Sequence, residues 1–414
     1  MRVIGIIAEY NPFHRGHEHL ITEARRRVSD PRAVVMSIMS GPLTQRGLPA
    51  IAPTHIRAKQ ALLCGSDVVL ELPVEWACAP ASEFAYGAVK SLMDTGVVTD
   101  IACGIECGSA DIVETLSDPL IYENEQYKKE LKEALSAGDS FPSANAKAVL
   151  AVTSRADAGR LSDALKSPNT ILAIEYMKAI RKLGAKFNVH MIPREGQGYS
   201  DTDHESWHEF YSASAIREAI YDTSGTLSQV ASAISGKMPD KAASVILSSL
   251  SRGEFHPADP DEYALRIITA PRNEITRIRF MSDGLDDYIN NVLDDLRTGE
   301  TSFKDLSAKL ATKHFTMPRI YRALTMMLLG IRDDTISKDP QFIRVLGFNH
   351  EGRYCLKIMG RNSRLPIIHN YSDFLEHGGL KDTARLCLRA YDLAGAMMGL
   401  PPGYSRDIPP VVVR

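Results

Sequence analysis

The sequence lacks any long apolar run, and this absence excludes the simplest kind of membrane protein. No stretch of about 18 uninterrupted apolar residues occurs, so we expect no transmembrane helix and no membrane partner. The first residues enter a strand-like apolar run at once, without a basic segment, a hydrophobic core and a cleavage site. That beginning predicts no secretory signal peptide, and we expect a cytoplasmic protein.

Cysteine is also scarce. The chain of 414 residues has six cysteines, and they are scattered rather than clustered. Such usage is typical of reduced cytoplasmic thiols. Cys103 and Cys107 together resemble half of a metal site, but no second Cys or His pair has matching spacing. We therefore expect no metal held by protein ligands.

Charge of one sign is not in large excess either. The formal net charge is −3 at pH 7, which does not indicate a nucleic-acid-binding protein and gives no reason to expect DNA as a partner. Residues 1–60, however, carry nine Lys and Arg against four Asp and Glu. A second cationic stretch contains Lys313, Arg319 and Arg322. Solvated helix faces commonly produce such runs, so RNA binding and a merely basic surface both stay open.

What the chain does contain is a regular alternation of apolar runs and helical patterns over its first 110 residues. The runs that predict buried strands are Val3–Ile7, Ala33–Ile38, Asp67–Leu72 and Val97–Gly104. The segments with helical spacing are Gly16–Val28, Thr54–Cys64 and Ser82–Thr95, followed by Glu125–Ala137 and Thr170–Leu183. Together with a further strand at Phe187–Pro193, this repetition predicts βαβ units and a parallel α/β sheet covered on both faces.

Beyond about residue 225 the pattern becomes mainly helical. The predicted helices there are Leu285–Arg297, Phe303–Leu310, Arg319–Leu329 and Lys381–Met398. Phe342–Phe348 and Tyr354–Met359 predict a small strand pair. We therefore divide the chain into an α/β domain, residues 1–225, and a mainly α-helical domain, residues 226–414.

The most informative short segment is IIAEYNPFHRGHEHL, residues 6–20, which follows the first strand and opens the first helix. Ligands of open α/β sheets bind beyond the carboxyl ends of the strands. A helix N-terminus there favours a phosphate, and Gly16 allows a close approach to the backbone. His14 and His17 can donate to phosphate oxygens and stabilise the charge that develops when an α-phosphate is attacked. The alternatives are a polar helix cap and a pair of metal ligands, although no third ligand completes such a motif.

A second segment, YSASAIREAI, also combines a helix start with side chains that can bind phosphate. Ser212, Ser214 and Arg217 lie at the start of a predicted helix after the last predicted strand. Hydroxyls, helix N–H groups and a guanidinium together suit a triphosphate. The alternative is an ordinary serine-capped helix with a surface arginine.

These motifs resemble the HxGH nucleotidyltransferase superfamily, whose fold is a Rossmann-like sheet, and within it the tRNA(Met) cytidine acetate ligase family. Further segments follow in that family's order: SGPLTQRGLPA, GSDVVLELP, CGIECG, SPNTILAIEY, MIPREGQGYSD, SASAIR, LATKHFTMPRIYRALTMMLLGI and RVLGFNHEG. The chain departs from the family at Arg15, Ala173 and Ser200. Arg15 is expected to add a charge beside the phosphates. All three departures bear on the identity of the acetyl acceptor more than on the binding of ATP.

The resemblance implies a ligase that uses ATP to convert acetate into acetyl-adenylate and pyrophosphate. The acetyl group then passes to N4 of the wobble cytidine of elongator tRNA(Met). His14, His17 and Arg217 are the implied catalytic residues. The implied ATP contacts are Ile7, Ala8, Glu9, Tyr10, Asn11, Pro12, Phe13, His14, Gly16, His17, Gly104, Asn169, Arg194, Ser212, Ser214 and Arg217. Mg²⁺ is implied by the triphosphate, without a nameable protein ligand, and Asn169 has the alternative of being only a helix N-cap.

An anticodon loop suits such an enzyme because its single-stranded bases can leave the stack. Arg46, Lys313, Arg319 and Arg322 are our candidates for contacts with RNA phosphate. Two other functions share the same motifs. One is an adenylyltransferase acting on a small phosphomonoester, and the other is a nucleotide-dependent RNA-binding protein without catalysis.

Overall fold

A computed structural model describes residues 1–106, 110–139, 141–153, 158–193, 212–223, 226–297, 299 and 301–414. The described residues form eight strands and nineteen α-helices. The strands are β1 Val3–Ala8, β2 Val34–Ser40, β3 Val68–Leu72, β4 Asp100–Ile105, β5 Asn188–Pro193, β6 Ile343–Phe348, β7 Ile367–Ile368 and β8 Val411–Val412. The helices of the first half are α1 Arg15–Val28, α2 Thr54–Leu63, α3 Val74–Ala77, α4 Ala81–Asp94, α5 Ala110–Tyr122, α6 Glu125–Ser136, α7 Phe141–Val152, α8 Ala158–Ala164, α9 Pro168–Leu183 and α10 Ala213–Tyr221. Those of the second half are α11 Leu227–Ile234, α12 Asp240–Ser251, α13 Pro260–Thr269, α14 Leu285–Asp294, α15 Phe303–Leu310, α16 Met317–Leu329, α17 His350–Asn362, α18 Tyr371–Glu376 and α19 Lys381–Ala396.

All eight strands belong to one sheet, in the order β5-β4-β1-β2-β3-β6-β7 with β8 beside β6. The strands β1 to β5 pair in parallel, which confirms the predicted Rossmann-like α/β fold. From β1 the chain proceeds to β2 and β3 on one side, and only later to β4 and β5 on the other. The carboxyl ends of β1 and β4 therefore mark the point where the strand order reverses, which is the usual ligand position in such sheets.

The sheet is buried on both faces, as the unbroken apolar runs predict. Every residue of β2 is buried. Val34, Met36 and Ile38 pack into a cluster with residues of α4 and α9. Val35 and Met39 point the other way, into a core shared with α1, α2 and the C-terminal helices. Burial on both faces explains why β2 has no polar alternation.

The predicted strand pair in the second half is wrong. The strand β6 pairs antiparallel with β3 of the first half, and Tyr354–Met359 lies inside α17. The buried residues of α17 are Gly352, Cys355 and Met359, at helical spacing, and the side chain of Asn349 caps the helix by accepting from the Gly352 N–H over 2.9 Å.

The second half contributes more than helices. Strands β6, β7 and β8 come from residues beyond 226 and extend the sheet of the first half. The remainder of this half, where the structure describes it, is mainly helical, as predicted. The domain boundary near residue 225 stays a prediction. No helix within the described ranges combines the length and the apolar character needed to cross a membrane.

Candidate active site

A cavity of about 600 Å³ lies at the carboxyl ends of β1 and β4. Its wall includes thirteen of the predicted ATP contacts: Ile7, Ala8, Glu9, Tyr10, Asn11, His14, Gly16, His17, Gly104, Asn169, Ser212, Ser214 and Arg217. These residues come from four separate parts of the sequence, residues 7–17, 104, 169 and 212–217, so the fold brings them together. Pro12 and Phe13 are buried and do not line the cavity. Arg194 lies outside the described residues.

The turn between β1 and α1 is held by its own side chains. Tyr10 has a positive φ of 48°, and the Asn11–Pro12 peptide bond is cis. The Tyr10 hydroxyl forms a hydrogen bond of 2.8 Å with the hydroxyl of Ser37. The side-chain oxygen of Asn11 accepts from the backbone N–H of Ile51 over 2.8 Å. These contacts fix the residues that face the cavity.

The two histidines cap the helix that they open. Nδ1 of His14 accepts from the Gly16 N–H over 3.1 Å, and Nδ1 of His17 accepts from the His14 N–H over 3.2 Å. The two rings are stacked with their centroids 3.7 Å apart. Because Nδ1 of each ring accepts a hydrogen bond, the neutral ring carries its proton on Nε2. The pair therefore has two Nε2–H donors for an anion at the N-terminus of α1.

The helix α10 meets this turn directly. Ser212 is its N-cap, and its hydroxyl oxygen accepts from the Ala215 N–H over 3.2 Å. The Arg217 guanidinium donates to the Asn11 carbonyl over 2.6 Å and to the Ser214 hydroxyl over 3.1 Å. Burial lowers the pKa of Arg217, while the nearby Glu9 carboxylate raises it. Two helix N-termini and a guanidinium thus surround one volume, which suits a polyphosphate.

Arg57, the buried arginine of α2, was not among the predicted site residues. Its guanidinium donates to the carbonyls of Glu9 over 2.6 Å and of Ser40 and Ala52 over 3.1 Å each, and also to the Gly41 carbonyl. Burial lowers the pKa of Arg57 to about 10. The guanidinium therefore ties together the loops that follow β1 and β2.

The side chain of Asn169 binds a carboxylate and does not cap a helix. Ser167 is the N-cap of α9, so the N-cap alternative for Asn169 is wrong. The Asn169 amide donates to the Glu106 carboxylate over 2.6 Å, and the Glu106 N–H donates to the Thr170 hydroxyl over 3.1 Å. Asn169 and Glu106 both line the cavity beside Gly104 of β4. Glu106 is a second residue that sequence reasoning did not select.

The departures from the family pattern lie away from the cavity where they are described. Arg15 is exposed, does not line the cavity, and donates through Nε to the Gly236 carbonyl over 2.8 Å. The expectation that Arg15 adds a charge beside the phosphates is therefore wrong. Ala173 lies on α9 and is fully buried in the hydrophobic core between that helix and the sheet. Ser200 lies outside the described residues.

The four predicted RNA contacts occupy different environments. Arg46 is exposed and lines the cavity, and Lys313 is exposed away from it. Arg319 pairs with Asp283 at 2.8 Å. Arg322 is half-buried and donates to the Gln45 carbonyl over 3.3 Å, so it supports the loop that carries Arg46. RNA binding by these residues stays a prediction.

Comparisons with known proteins agree with this architecture. A family model described as HIGH Nucleotidyl Transferase matches residues 1–399. A tRNA(Met) cytidine acetate ligase of Clostridium perfringens is 35% identical over 379 residues, which is 90% of each chain. A protein of the same name from Fervidobacterium nodosum is 35% identical over 383 residues, covering 90% of this chain and 84% of the relative.

Solved structures agree as well. The crystal structure of Thermotoga maritima TmcAL bound with alpha-thio ATP superposes with a TM-score of 0.84 at 27% sequence identity, covering 100% of both chains. The apo form of the same protein gives a TM-score of 0.85 at 28% identity. The chain belongs to the HIGH nucleotidyl transferase family and, within it, to the family of the tRNA(Met) cytidine acetate ligases.

Proposed function

We propose that the protein is an ATP-dependent acetate ligase that acetylates N4 of the wobble cytidine of elongator tRNA(Met). The observation that carries the proposal is the meeting of His14, His17 and Arg217 around one cavity at the strand-order reversal. The names of the relatives support acetate and tRNA(Met) as substrates. The neighbour bound with alpha-thio ATP supports ATP as the nucleotide.

In the first step, an acetate oxygen attacks the α-phosphorus of ATP, and the bond from that phosphorus to the pyrophosphate oxygen breaks. Negative charge grows on the phosphate oxygens during this displacement. The Nε2–H groups of His14 and His17 stabilise that charge, because they are fixed before the reaction begins. Ser212, Ser214 and Arg217 hold the departing pyrophosphate at the N-terminus of α10.

In the second step, N4 of cytosine attacks the carbonyl carbon of acetyl-adenylate. A carbon–nitrogen bond forms, the bond from the carbonyl carbon to the adenylate oxygen breaks, AMP leaves, and N4 loses one proton. The mixed anhydride is already activated, so the contribution of the protein is to position the amine. A cytosine that has left its stack in a single-stranded loop can approach in this way.

Mg²⁺ would enter with the nucleotide. Within the part of the chain that the structure describes, no group of three His, Cys, Asp or Glu side chains is arranged to hold a metal ion. This fits the ordinary behaviour of Mg²⁺, which keeps several waters and binds through substrate phosphates. The ion would supply charge neutralisation on the phosphates, and we assign it no protein ligand.

The test is pyrophosphate release from ATP, measured with acetate, with phosphopantetheine as a phosphomonoester, and with neither. Each condition is run with and without unmodified elongator tRNA(Met). We expect acetate alone to support release, and His14→Ala to lower the rate by about a hundred-fold or more. Release triggered by phosphopantetheine instead would identify an adenylyltransferase. ATP binding without release under any condition would indicate a non-catalytic nucleotide-binding protein.

Arg15→Ala is the matched control, since Arg15 adjoins His14 in the sequence but its side chain lies outside the cavity. We expect this variant to release pyrophosphate at the wild-type rate. An equal loss in both variants would mean that the loss comes from disturbance of α1 rather than from the histidine.

A further inference from the structure

The cavity extends past the groups assigned to the nucleotide. Beyond the triphosphate residues, its wall continues through the loop after β2, the end of α10 and the region of α13 and α15 in the second half. The residues of this second wall are Arg46, Leu48, Tyr221, Ala258, Tyr263 and Phe303. Neither the acetate nor the ATP of the proposed function requires them.

The second wall is aromatic and firmly packed. The Phe303 ring is half-buried and stacks on Tyr321, with the ring centroids 5.5 Å apart and the planes inclined by 27°. It also contacts the ring of Tyr263 at 6.2 Å. The hydroxyl of Tyr263 is turned into the core, where it bonds to the hydroxyl of Thr325 over 2.8 Å. Phe303 is the first residue of α15, and its N–H donates to the Asp261 carboxylate over 2.8 Å.

The guanidinium of Arg46 lies beside this wall, on a loop held by hydrogen bonds. Arg46 lies in a tight loop, in which the Thr44 N–H donates to the Leu48 carbonyl and the Gly47 N–H to the Thr44 carbonyl, each over 2.9 Å. The Gly47 carbonyl accepts from the hydroxyl of Thr325. Gly47 has a φ of 89°, and a Cβ there would lie 2.4 Å from the backbone nitrogen of Arg322. The loop is therefore locked against α16.

The second wall adjoins the phosphate groups. Tyr221 and Arg217 lie one turn apart on α10 and both line the cavity. Burial is the main cause of the lowered pKa of Arg217, and the charge of Arg46 lowers it further, so the two guanidinium groups act on one region. A ligand on the second wall thus lies next to the place where acetyl-adenylate would form.

We infer that the second wall, with Phe303 as its stacking surface and Arg46 at its edge, is the subsite for the acceptor base of a single-stranded RNA. This inference rests on the proposed function and names where its second substrate lies. Aromatic rings bind unstacked bases through their faces, and arginine neutralises the adjoining phosphate. The base would then present its exocyclic amine toward the acyl group on the phosphate side of the cavity.

The experiment separates the two half-reactions in Phe303→Leu, which keeps apolar volume but removes the ring. Acetate-dependent exchange of pyrophosphate into ATP, measured without tRNA, reports adenylation and also shows that the variant is folded. Acetylation of unmodified elongator tRNA(Met) reports the whole reaction. We expect the ratio of tRNA acetylation to exchange to fall by about ten-fold or more, because one base stack is lost. Phe303→Tyr retains a ring and should restore the ratio.

Phe348→Leu is the matched control, since Phe348 is a half-buried phenylalanine at the end of β6 that does not line the cavity. Its ratio should equal that of the wild type. An unchanged ratio in Phe303→Leu, or equal losses of both activities, would overturn the acceptor subsite while leaving the ligase function intact. Wild-type protein without acetate-dependent exchange would instead overturn the proposed function, and the subsite with it.

Discussion

The backbone N–H of His14 donates to Nδ1 of His17 over 3.2 Å, so that one histidine of the pair fixes the ring of the other. The Nδ1 of His14 is occupied in the same way by the Gly16 N–H. Nδ1 of each ring is therefore engaged by a backbone N–H at the start of α1, and the proposed function assigns the Nε2–H groups to the phosphate. The two histidines thus cap the N-terminus of α1, and in the proposed function they also bind the α-phosphate there.

Because Nδ1 of His14 caps the helix and Nε2 is assigned to the phosphate, we expect a substitution of His14 to be able to remove catalysis without removing the helix cap. Asparagine is a good N-cap residue, so His14→Asn should keep the stability of the wild type but lack the Nε2 donor. We expect acetate-dependent ATP turnover to fall by about a hundred-fold or more. His14→Ala should show the same loss of turnover and an additional destabilisation of about 1 kcal/mol. Thermal unfolding and a pyrophosphate assay on both variants check this, and wild-type turnover in His14→Asn would refute it.

Arg57 should be important for stability. Arg57→Met removes the guanidinium and leaves four carbonyls without this donor, the buried carbonyls of Ser40, Gly41 and Ala52 and the partly buried carbonyl of Glu9. We expect a loss of about 3 kcal/mol or more in the free energy of unfolding. Arg26→Met is the control, since Arg26 is an exposed arginine of α1, and it should unfold like the wild type. Equal unfolding midpoints for the two variants would contradict this role.

Glu75 should make stability depend on pH. Burial raises the pKa of Glu75 from 4.5 to about 7 in the folded chain, and one of its oxygens is buried without a hydrogen-bond partner among the described residues. The folded chain binds the extra proton between these values, so its stability falls as the pH rises from 4.5 to 7 and stays lower above 7.

Glutamine has no charge to desolvate, so Glu75→Gln should remove this dependence. We expect the variant to be more stable than the wild type above pH 7, by on the order of 3 kcal/mol, and to differ little below pH 4.5. Thermal unfolding of both proteins at the two ends of this range checks the sign. A variant that is less stable than the wild type above pH 7 would show that the carboxylate is charged and satisfied.

Arg46 should contribute to tRNA binding through phosphate. We expect Arg46→Ala to weaken binding of elongator tRNA(Met) and to reduce the slope of log K against log salt by roughly 0.7 to 0.9, the value for one phosphate contact. The control is Arg361→Ala, because Arg361 is an exposed arginine of α17 outside the cavity wall. Binding titrations at several salt concentrations check this. Identical slopes for Arg46→Ala and the wild type would exclude the contact.

The first half of the fold could be predicted because its signals are local. The predicted helix Gly16–Val28 corresponds to α1, Arg15–Val28, and the predicted strand Val3–Ile7 to β1, Val3–Ala8. Short β-branched runs and amphipathic helices in strict alternation permit few arrangements other than a doubly wound sheet. The position of His14 and His17 at a strand end then follows from the topology.

The rest depended on contacts that no local pattern contains. The pairing of β6 with β3 joins residues about 270 positions apart, such as Glu71 and Arg344. Tyr354–Met359 has strand-like composition, yet Cys355 and Met359 are buried four residues apart, at helical spacing. Arg57 was missed because its partners are backbone carbonyls at the ends of β1 and β2 and in the loops that follow them, which carry no sequence signature.

The most direct test is nucleoside mass spectrometry of unmodified elongator tRNA(Met) incubated with the protein, ATP and isotope-labelled acetate. We predict N4-acetylcytidine that carries the label, formed at the wobble position, dependent on ATP, and formed about a hundred-fold or more slowly with His14→Asn. Unlabelled or undetectable N4-acetylcytidine under conditions where ATP is consumed would contradict acetate ligation to cytidine and require another acceptor for the adenylate.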